Sequence, residues 1–386
     1  MTARRKICVP LTTRGNYAKM KTTLTALRDS DAVTLQVVVG GALLDAGYGP
    51  FLETIENDGF PIDHKLDYPA KGGSMYETAS AAGLCTSKAA KIFEELQPDV
   101  VMIIADRYES LSIAQAAMCM NICIAHLEGG EVSGSIDERI RHAITKLSHI
   151  HFPATKQAGE RIERLGEAEE HIHVVGTPSL DQIQQMDLGS IDTLQAHLNS
   201  RAGAMSINLS QDYLVVSQHS VVTECDEARS QFEQTADAVF RLNLPTVWVL
   251  PNDDVGGVES RDVVEALGNK SDAPPLCVVG GLGLGHYARL LFNAKCLIGN
   301  TSSGLREGAF LGVPVVNIGT RQHSRERGHN VMDSGYDSEA IVAAATQQIA
   351  HGRYRSDSVY GSGDSGGRIA AVLEKPIPPL DKTILY

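Results

Sequence analysis

KCLIGNTSSGLREG, residues 295–308, is an apolar run that passes directly into Thr301, Ser302 and Ser303, then Gly304, then an Arg306–Glu307 pair opening a helix. Hydroxyls and glycine where a strand hands over to a helix suit an anion, because the free N–H groups of a helix start point outward there. Phosphate is the first candidate. Serine and threonine are also the usual residues of an ordinary N-cap, and this stretch alone supports both readings equally.

The same handover recurs along the chain. KICVP, LQVVVG, DVVMIIAD, ICIAHLEGG and HIHVVGT occupy the first half, and YLVVSQHS, TVWVLPND, LCVVGG, KCLIGNTSS and VPVVNIG the second. Continuous apolar strands ending in Gly, Asp, His or Ser, alternating with longer helical stretches, are the pattern of parallel sheets covered on both faces. The fold class is therefore α/β, with two Rossmann-like doubly wound domains facing a central cleft. The polar stretch from Gly176 to Asp212 lacks a strand run, which puts the boundary near residues 180–205. The expected domains are 1–185 and 200–365, with a tail over 366–386 that packs back on the first.

At 386 residues, 43% hydrophobic and 21% charged, the chain is ordinary for a globular protein with a sizeable core. A formal net charge of −13 argues against nonspecific binding to nucleic acid or anionic membrane, while leaving room for a local basic pocket. MTARRKICVPLTTRG has too short an apolar run for a signal peptide or anchor. Seven cysteines, odd in number and scattered, fit reduced thiols in a cytoplasmic protein. No metal and no cofactor is expected.

Ligands of open α/β sheets bind at the carboxyl ends of the strands. That rule collects Thr12, Thr13 and Arg14; Asp106, Arg107, Tyr108 and Glu109; His126, Glu128 and Glu131; then His219, Asn252, Asp253, Asp254 and the stretch around Ser302. Asp106, Glu128, Glu131 and Asp137 near one cleft would shift one another's pKa values apart, which is acid–base equipment. Pairing with Arg107, Arg139 or Arg141 is the competing reading. His126 and His142 read more naturally as packed or capping residues, whereas His219, ending its strand, is placed to hydrogen-bond a diphosphate or protonate a leaving group. VVGGLGLGHY, 278–287, has His286 where a dinucleotide fingerprint needs glycine or alanine, and reads as a flexible loop. In the opening stretch, Thr301, Ser302 and Ser303 can take a diphosphate. Glu307, one turn into the helix, can accept from ribose hydroxyls, and Arg14 or Arg321 can supply countercharge.

TTRGNYAK, ADRYE, HLEGGEVSGSIDERIRHAITKLSHIH, GTPSLD, QHSVVTE, PNDDVGG, IGNTSSGLREG and GTRQHSRERG run in order from about residue 7 to residue 330. Together they resemble the hydrolysing UDP-N-acetylglucosamine 2-epimerases, including the bacterial sialic and legionaminic acid type and the epimerase half of the bifunctional animal sialic-acid enzyme. The resemblance implies a GT-B-like domain pair acting on a nucleotide sugar. A base takes the C2 proton as UDP leaves C1, a glycal forms, and water adds to give N-acetylmannosamine. It implies Asp106, Glu128, Glu131 and Asp137 as the acid–base group with His219 beside the diphosphate. Arg14, Arg107, Asn252, Thr301, Ser302, Ser303, Glu307 and Arg321 fall at UDP-side positions. A homodimer or homotetramer is implied as well.

Departures exist. Ala42 stands where many relatives have histidine, QHSVVTE carries Ser220 and Val222 in a block usually worded HPVTTE, and Ala105 opens a block usually worded GDRYE. Cousins acting on UDP- or GDP-linked N,N'-diacetylbacillosamine share these blocks. A GT-B glycosyltransferase and a silent nucleotide-sugar sensor are the other expectations.

Overall fold

A computed structural model describes residues 4–45, 50–69, 74–133, 136–201, 207–250 and 257–385. The chain divides into two compact units, the first comprising 1–182 and 361–386 and the second 183–360.

In unit 1 the strands are β1 (Arg5–Leu11), β2 (Val33–Gly40), β3 (Ile62–Leu66), β4 (Val100–Ile104), β5 (Cys123–Leu127) and β6 (Ile150–Phe152). They form one six-stranded parallel sheet in the order β3-β2-β1-β4-β5-β6. Side chains alternate between faces along each strand. Ile7, Val9 and Leu11 point into a core with Leu24 and Leu27 of helix Arg14–Arg28, while Cys8, Val101 and Ile103 meet Cys85, Ala89 and Phe93 of helix Met75–Leu96 on the other side. Burial on both faces is why these strands are continuously apolar.

The C-terminal helix Ser365–Leu373 belongs to unit 1, burying Ile369, Ala370 and Leu373 in the core that holds Leu24 and Leu27. Its first turn is fixed by Asp181, whose carboxylate accepts from the N–H groups of Ser365 at 2.9 Å and Gly366 at 2.7 Å.

Unit 2 repeats the plan. Its strands are β7 (Leu214–Ser217), β8 (Thr246–Val249), β9 (Leu276–Val279), β10 (Cys296–Gly299), β11 (Val315–Ile318) and β12 (Val331–Ser334), all parallel, in the order β12-β11-β10-β7-β8-β9. Trp248, fully buried, packs with Phe232 and Val239 of helix Ala228–Leu242. Each sheet thus reverses its strand order once, between β1 and β4 and between β7 and β10. Crevices outside the carboxyl ends of such a reversal are where open α/β sheets bind ligands.

Two expectations change. HIHVVGT adds no strand to the sheet: Ile172 makes only an isolated bridge with His151, and the sixth strand is Ile150–Phe152. The VVGGLGLGHY loop shrinks to Gly280–Gly283, because helix Leu284–Asn293 begins within it. The polar stretch between the halves carries helices Ser179–Gln184 and Asp192–Arg201. Among the described residues no helix is long and apolar enough to cross a membrane.

Candidate functional site

In unit 1 the chain leaves β1 through Thr12 and Thr13. Thr13 caps the following helix, its Oγ1 accepting from Asn16 N–H at 3.1 Å while Asn16 Oδ1 accepts from Thr13 N–H at 3.2 Å. Arg14 opens that helix, exposed, at the strand reversal.

Across the reversal, β4 and β5 end in step. Ile104 lies opposite Leu127, and the next residue of each strand, Ala105 and Glu128, takes a left-handed conformation with φ of 61° and 62°. Neither is glycine, so both conformations carry strain that the surroundings must hold. Ala105 N–H donates to the Leu127 carbonyl and Glu128 N–H to that of Phe152, each at 3.0 Å. His126 Nε2–H donates to the Ala105 carbonyl at 2.9 Å, and Thr145 lies 3.4 Å from Nδ1. The His126 ring is fully buried, and burial carries its pKa down to about 4 against the pull of that hydrogen bond, so it is a neutral, packed imidazole.

Those turns set Asp106 and Glu128 at neighbouring strand ends, each in contact with a cation. Asp106 forms an ion pair with Arg141, which is 2% exposed and also donates to the Glu131 carbonyl at 2.7 Å and Ser133 Oγ at 3.2 Å. Glu128, buried, receives Lys19 Nζ at 2.7 Å on Oε2 and Thr177 Oγ1 at 3.0 Å on Oε1. Glu131 is buried beside them, and Asp137 lies one turn before Arg141 on helix Ile136–Leu147. The expectation of carboxylates crowding one another is corrected for this pair: Asp106 and Glu128 are cation-paired, and an adjoining cation favours the proton-accepting form of a carboxylate. Arg107 donates to Glu109 Oε1 at 2.6 Å and leaves half of its side chain exposed.

Unit 2 gathers His219, Thr301, Ser302, Ser303, Glu307 and Arg321 at the β7–β10 reversal; Asn252 lies outside the described residues. Gly299 has φ of 139° and sits so close to β7 that a Cβ there would lie 2.1 Å from the Ser217 carbonyl oxygen, so only glycine lets the turn pass. Thr301 then caps a single helical turn, Ser302–Leu305. Its Oγ1 lies 2.9 Å from Ser303 Oγ, which lies 2.7 Å from the Tyr287 hydroxyl. The single helix expected through Glu307 is broken. Arg306, at φ −92° and ψ −78°, separates that turn from Glu307–Leu311. Close packing accounts for the break: a Cβ at Gly304 would meet Val315 at 3.0 Å, and Arg306 is turned inward over the Tyr360 ring.

Burial, and after it the Arg321 charge, carry His219 down to about 4, and its Nδ1 is buried with no hydrogen-bond partner. In the free protein it is therefore a neutral donor rather than a loaded acid, and an arriving anion is what would raise its proton affinity.

Arg141 takes with Asp106 the pairing that was the competing reading of the carboxylates, whereas Lys19, Thr177 and Tyr287 were not singled out from sequence as site residues, because their partners are fixed only by folding. Lys19 stands 109 positions from Glu128 and Thr177 stands 49 from it. The available signals were Lys19 within the TTRGNYAK block and Thr177 within GTPSLD.

A family model described as UDP-N-acetylglucosamine 2-epimerase matches residues 25–374. The chain is 35% identical over 374 residues to the UDP-N,N'-diacetylbacillosamine 2-epimerase (hydrolyzing) of Legionella pneumophila, covering 97% of this chain and 96% of that protein. It is 28% identical to the UDP-N-acetylglucosamine 2-epimerase of Neisseria meningitidis, with 94% and 93% covered. In fold it is similar to the Methanocaldococcus jannaschii UDP-GlcNAc 2-epimerase crystallised with UDP-GlcNAc and UDP, with a TM-score of 0.77, 19% identity, and 95% and 99% covered.

Proposed function

The chain belongs to the UDP-N-acetylglucosamine 2-epimerase family, and from that premise we propose that it is a hydrolysing 2-epimerase of a UDP-linked 2-acetamido sugar. With UDP-N-acetylglucosamine, water and substrate give N-acetylmannosamine and UDP. The C2 proton passes to a base and the C1–O bond breaks with its electrons leaving on UDP, which forms a C1=C2 glycal. A proton then returns to C2 on the opposite face while the hydroxyl of water adds to C1.

The observation that supports this reading best is the pair of strained turns presenting Asp106 and Glu128 side by side, each beside a cation. C2 carries no adjacent carbonyl, so its proton is poorly acidic. Removal needs a well-placed base together with strong stabilisation of the leaving diphosphate. Asp106, Glu128, Glu131 and Asp137 form the proposed acid–base group. His219, Arg14, Arg107, Asn252, Thr301, Ser302, Ser303, Glu307 and Arg321 are the proposed nucleotide-side group, with Glu307 toward the ribose. Lys19 joins the acid–base group through Glu128.

A second reading concerns the sugar. Identity is 35% to a diacetylbacillosamine enzyme against 28% to a UDP-N-acetylglucosamine enzyme, which favours UDP-N,N'-diacetylbacillosamine. Incubation with each nucleotide sugar in deuterated water, followed by NMR, separates the possibilities. The proposal expects UDP and the free C2-epimer carrying one deuterium at C2, formed from one substrate in preference to the other. An epimer still joined to UDP makes the enzyme non-hydrolysing. Transfer to an acceptor without deuterium makes it a glycosyltransferase, and UDP binding with no turnover of either substrate makes it a sensor.

A further inference from the structure

The strand ends of unit 2 are joined by one side chain. His219 N–H donates to Asn300 Oδ1 at 2.7 Å, and Asn300 Nδ2 donates back to the His219 carbonyl at 2.8 Å. The amide of Asn300 thus acts as an extra peptide group, continuing the β7–β10 ladder past Ser217, whose carbonyl accepts from Asn300 N–H at 3.2 Å. The main-chain carbonyl of Asn300 accepts from Arg321 Nη1 at 3.0 Å and Gln322 Nε2 at 2.8 Å. Asn300 is 1% exposed, and the next residue is Thr301.

The clasp needs both halves of an amide at one distance from the backbone. Aspartate supplies no donor, serine has one polar atom, and glutamine is a methylene too long. His219 has no hydrogen bond at Nδ1 to orient its ring, so the backbone clasp is what places it. Gly299 removes the remaining slack, pressed against the Ser217 carbonyl.

We infer that Asn300 is a positioning residue, whose side chain holds the His219 imidazole at fixed spacing from the Thr301–Ser303 hydroxyls so that they close together on the leaving diphosphate. This deepens the proposed reaction and rests on it. Asn300 touches no reacting atom itself, so its loss acts through His219.

The test is a double-mutant cycle with a spectroscopic readout. Asn300→Ala is expected to lower kcat about 100-fold, the scale of a misplaced catalytic group, with KM within about threefold. In a His219→Gln background the same change should add less than about threefold, because the residue it positions is gone. Full multiplication of the two losses overturns the inference. By NMR of histidine-labelled protein, the His219 ring signal of the wild type should move on adding UDP, and in Asn300→Ala that movement should be lost. An equal shift in the variant overturns the positioning role while the reaction reading stands. No shift in the wild type overturns the reading and this inference with it. If Asn300→Ala does not fold, Asn300→Asp takes its place in the cycle with the same expected sign, since it keeps the acceptor for His219 N–H and loses the donor to its carbonyl.

Discussion

Ala105 and Glu128 hold left-handed conformations that glycine adopts freely. For Ala105 the strain is of order 1–2 kcal/mol, against roughly 0.5–1 kcal/mol that glycine loses in chain entropy. Ala105→Gly is therefore expected to stabilise unit 1 by up to about 1 kcal/mol in urea denaturation, with kcat within about twofold. A loss of stability would mean that the alanine methyl contributes packing that outweighs the strain. His126, which holds that turn, gives a pH signature. Its folded pKa of about 4 lies below its unfolded value near 6.5, so its contribution is complete above pH 6.5 and disappears as pH falls toward 4. The full effect is about 3 kcal/mol, of which about 2 is gone by pH 5. Urea midpoints at pH 7 and pH 5 should converge in His126→Gln relative to the wild type. Residues of this kind explain how far the site was legible in sequence. Strand-end carboxylates and hydroxyls could be picked out one by one, but the cations that pair with them come from helices distant in the chain.

Among the elements, the inner strands announced themselves because both faces are buried and the sequence is apolar throughout. Of the four edge strands β9 did too, but β3, β6 and β12 did not. β3 reads Ile-Asp-His-Lys-Leu and β12 reads Val-Met-Asp-Ser, short and half-polar because one side of each meets no neighbouring strand. The break at Arg306 was hidden for another reason: it is imposed by packing on Val315 and Tyr360, not by a helix-breaking residue at that position. Beyond helix Ser365–Leu373 the end of the tail carries no strand or helix signal, and yet it is held by charge. Lys382 Nζ caps the end of helix Ile136–Leu147, donating to the Thr145, Lys146 and Ser148 carbonyls, and pairs at 2.6 Å with buried Glu167. Burial alone would raise Glu167, but His151, Lys146 and Lys382 carry it down to about 2. Lys382→Met should destabilise unit 1 by about 2 kcal/mol, since Glu167 keeps two of its three partners and the helix end loses its only lysine contact while Ser148 still bonds the Thr145 and Ile144 carbonyls. Because that helix also carries Asp137 and Arg141, kcat should fall with it, measured by urea denaturation and turnover on the same preparation. Unchanged values in both would mean that the tail is a passive covering.

At the scale of the molecule, a net charge of −13 opposes an anionic ligand, so binding UDP depends on local cations and dipoles overcoming a repulsive field. The doubly wound pattern and its repetition in two halves were readable from strand periodicity. The return of the chain after Tyr360 to complete unit 1 depends on Asp181 meeting Ser365 and Gly366, a pairing 184 residues apart that no local pattern encodes. The two sheets should respond differently to nucleotide. If the hydroxyl corner, His219 and Arg321 dominate recognition, UDP at 100 times its Kd stabilises the unit that holds it by about 2.7 kcal/mol, which slows exchange through global opening of that unit about 100-fold. Hydrogen exchange should therefore show the protection concentrated in Leu214–Ser217 and Cys296–Gly299, with a smaller effect on Arg5–Leu11 and Val100–Ile104. Protection concentrated instead in Arg5–Leu11 and Val100–Ile104 would move the weight of recognition to Arg14 and Arg107. It would also leave the β7–β10 corner as a structural turn, which is the ordinary N-cap reading of residues 295–308.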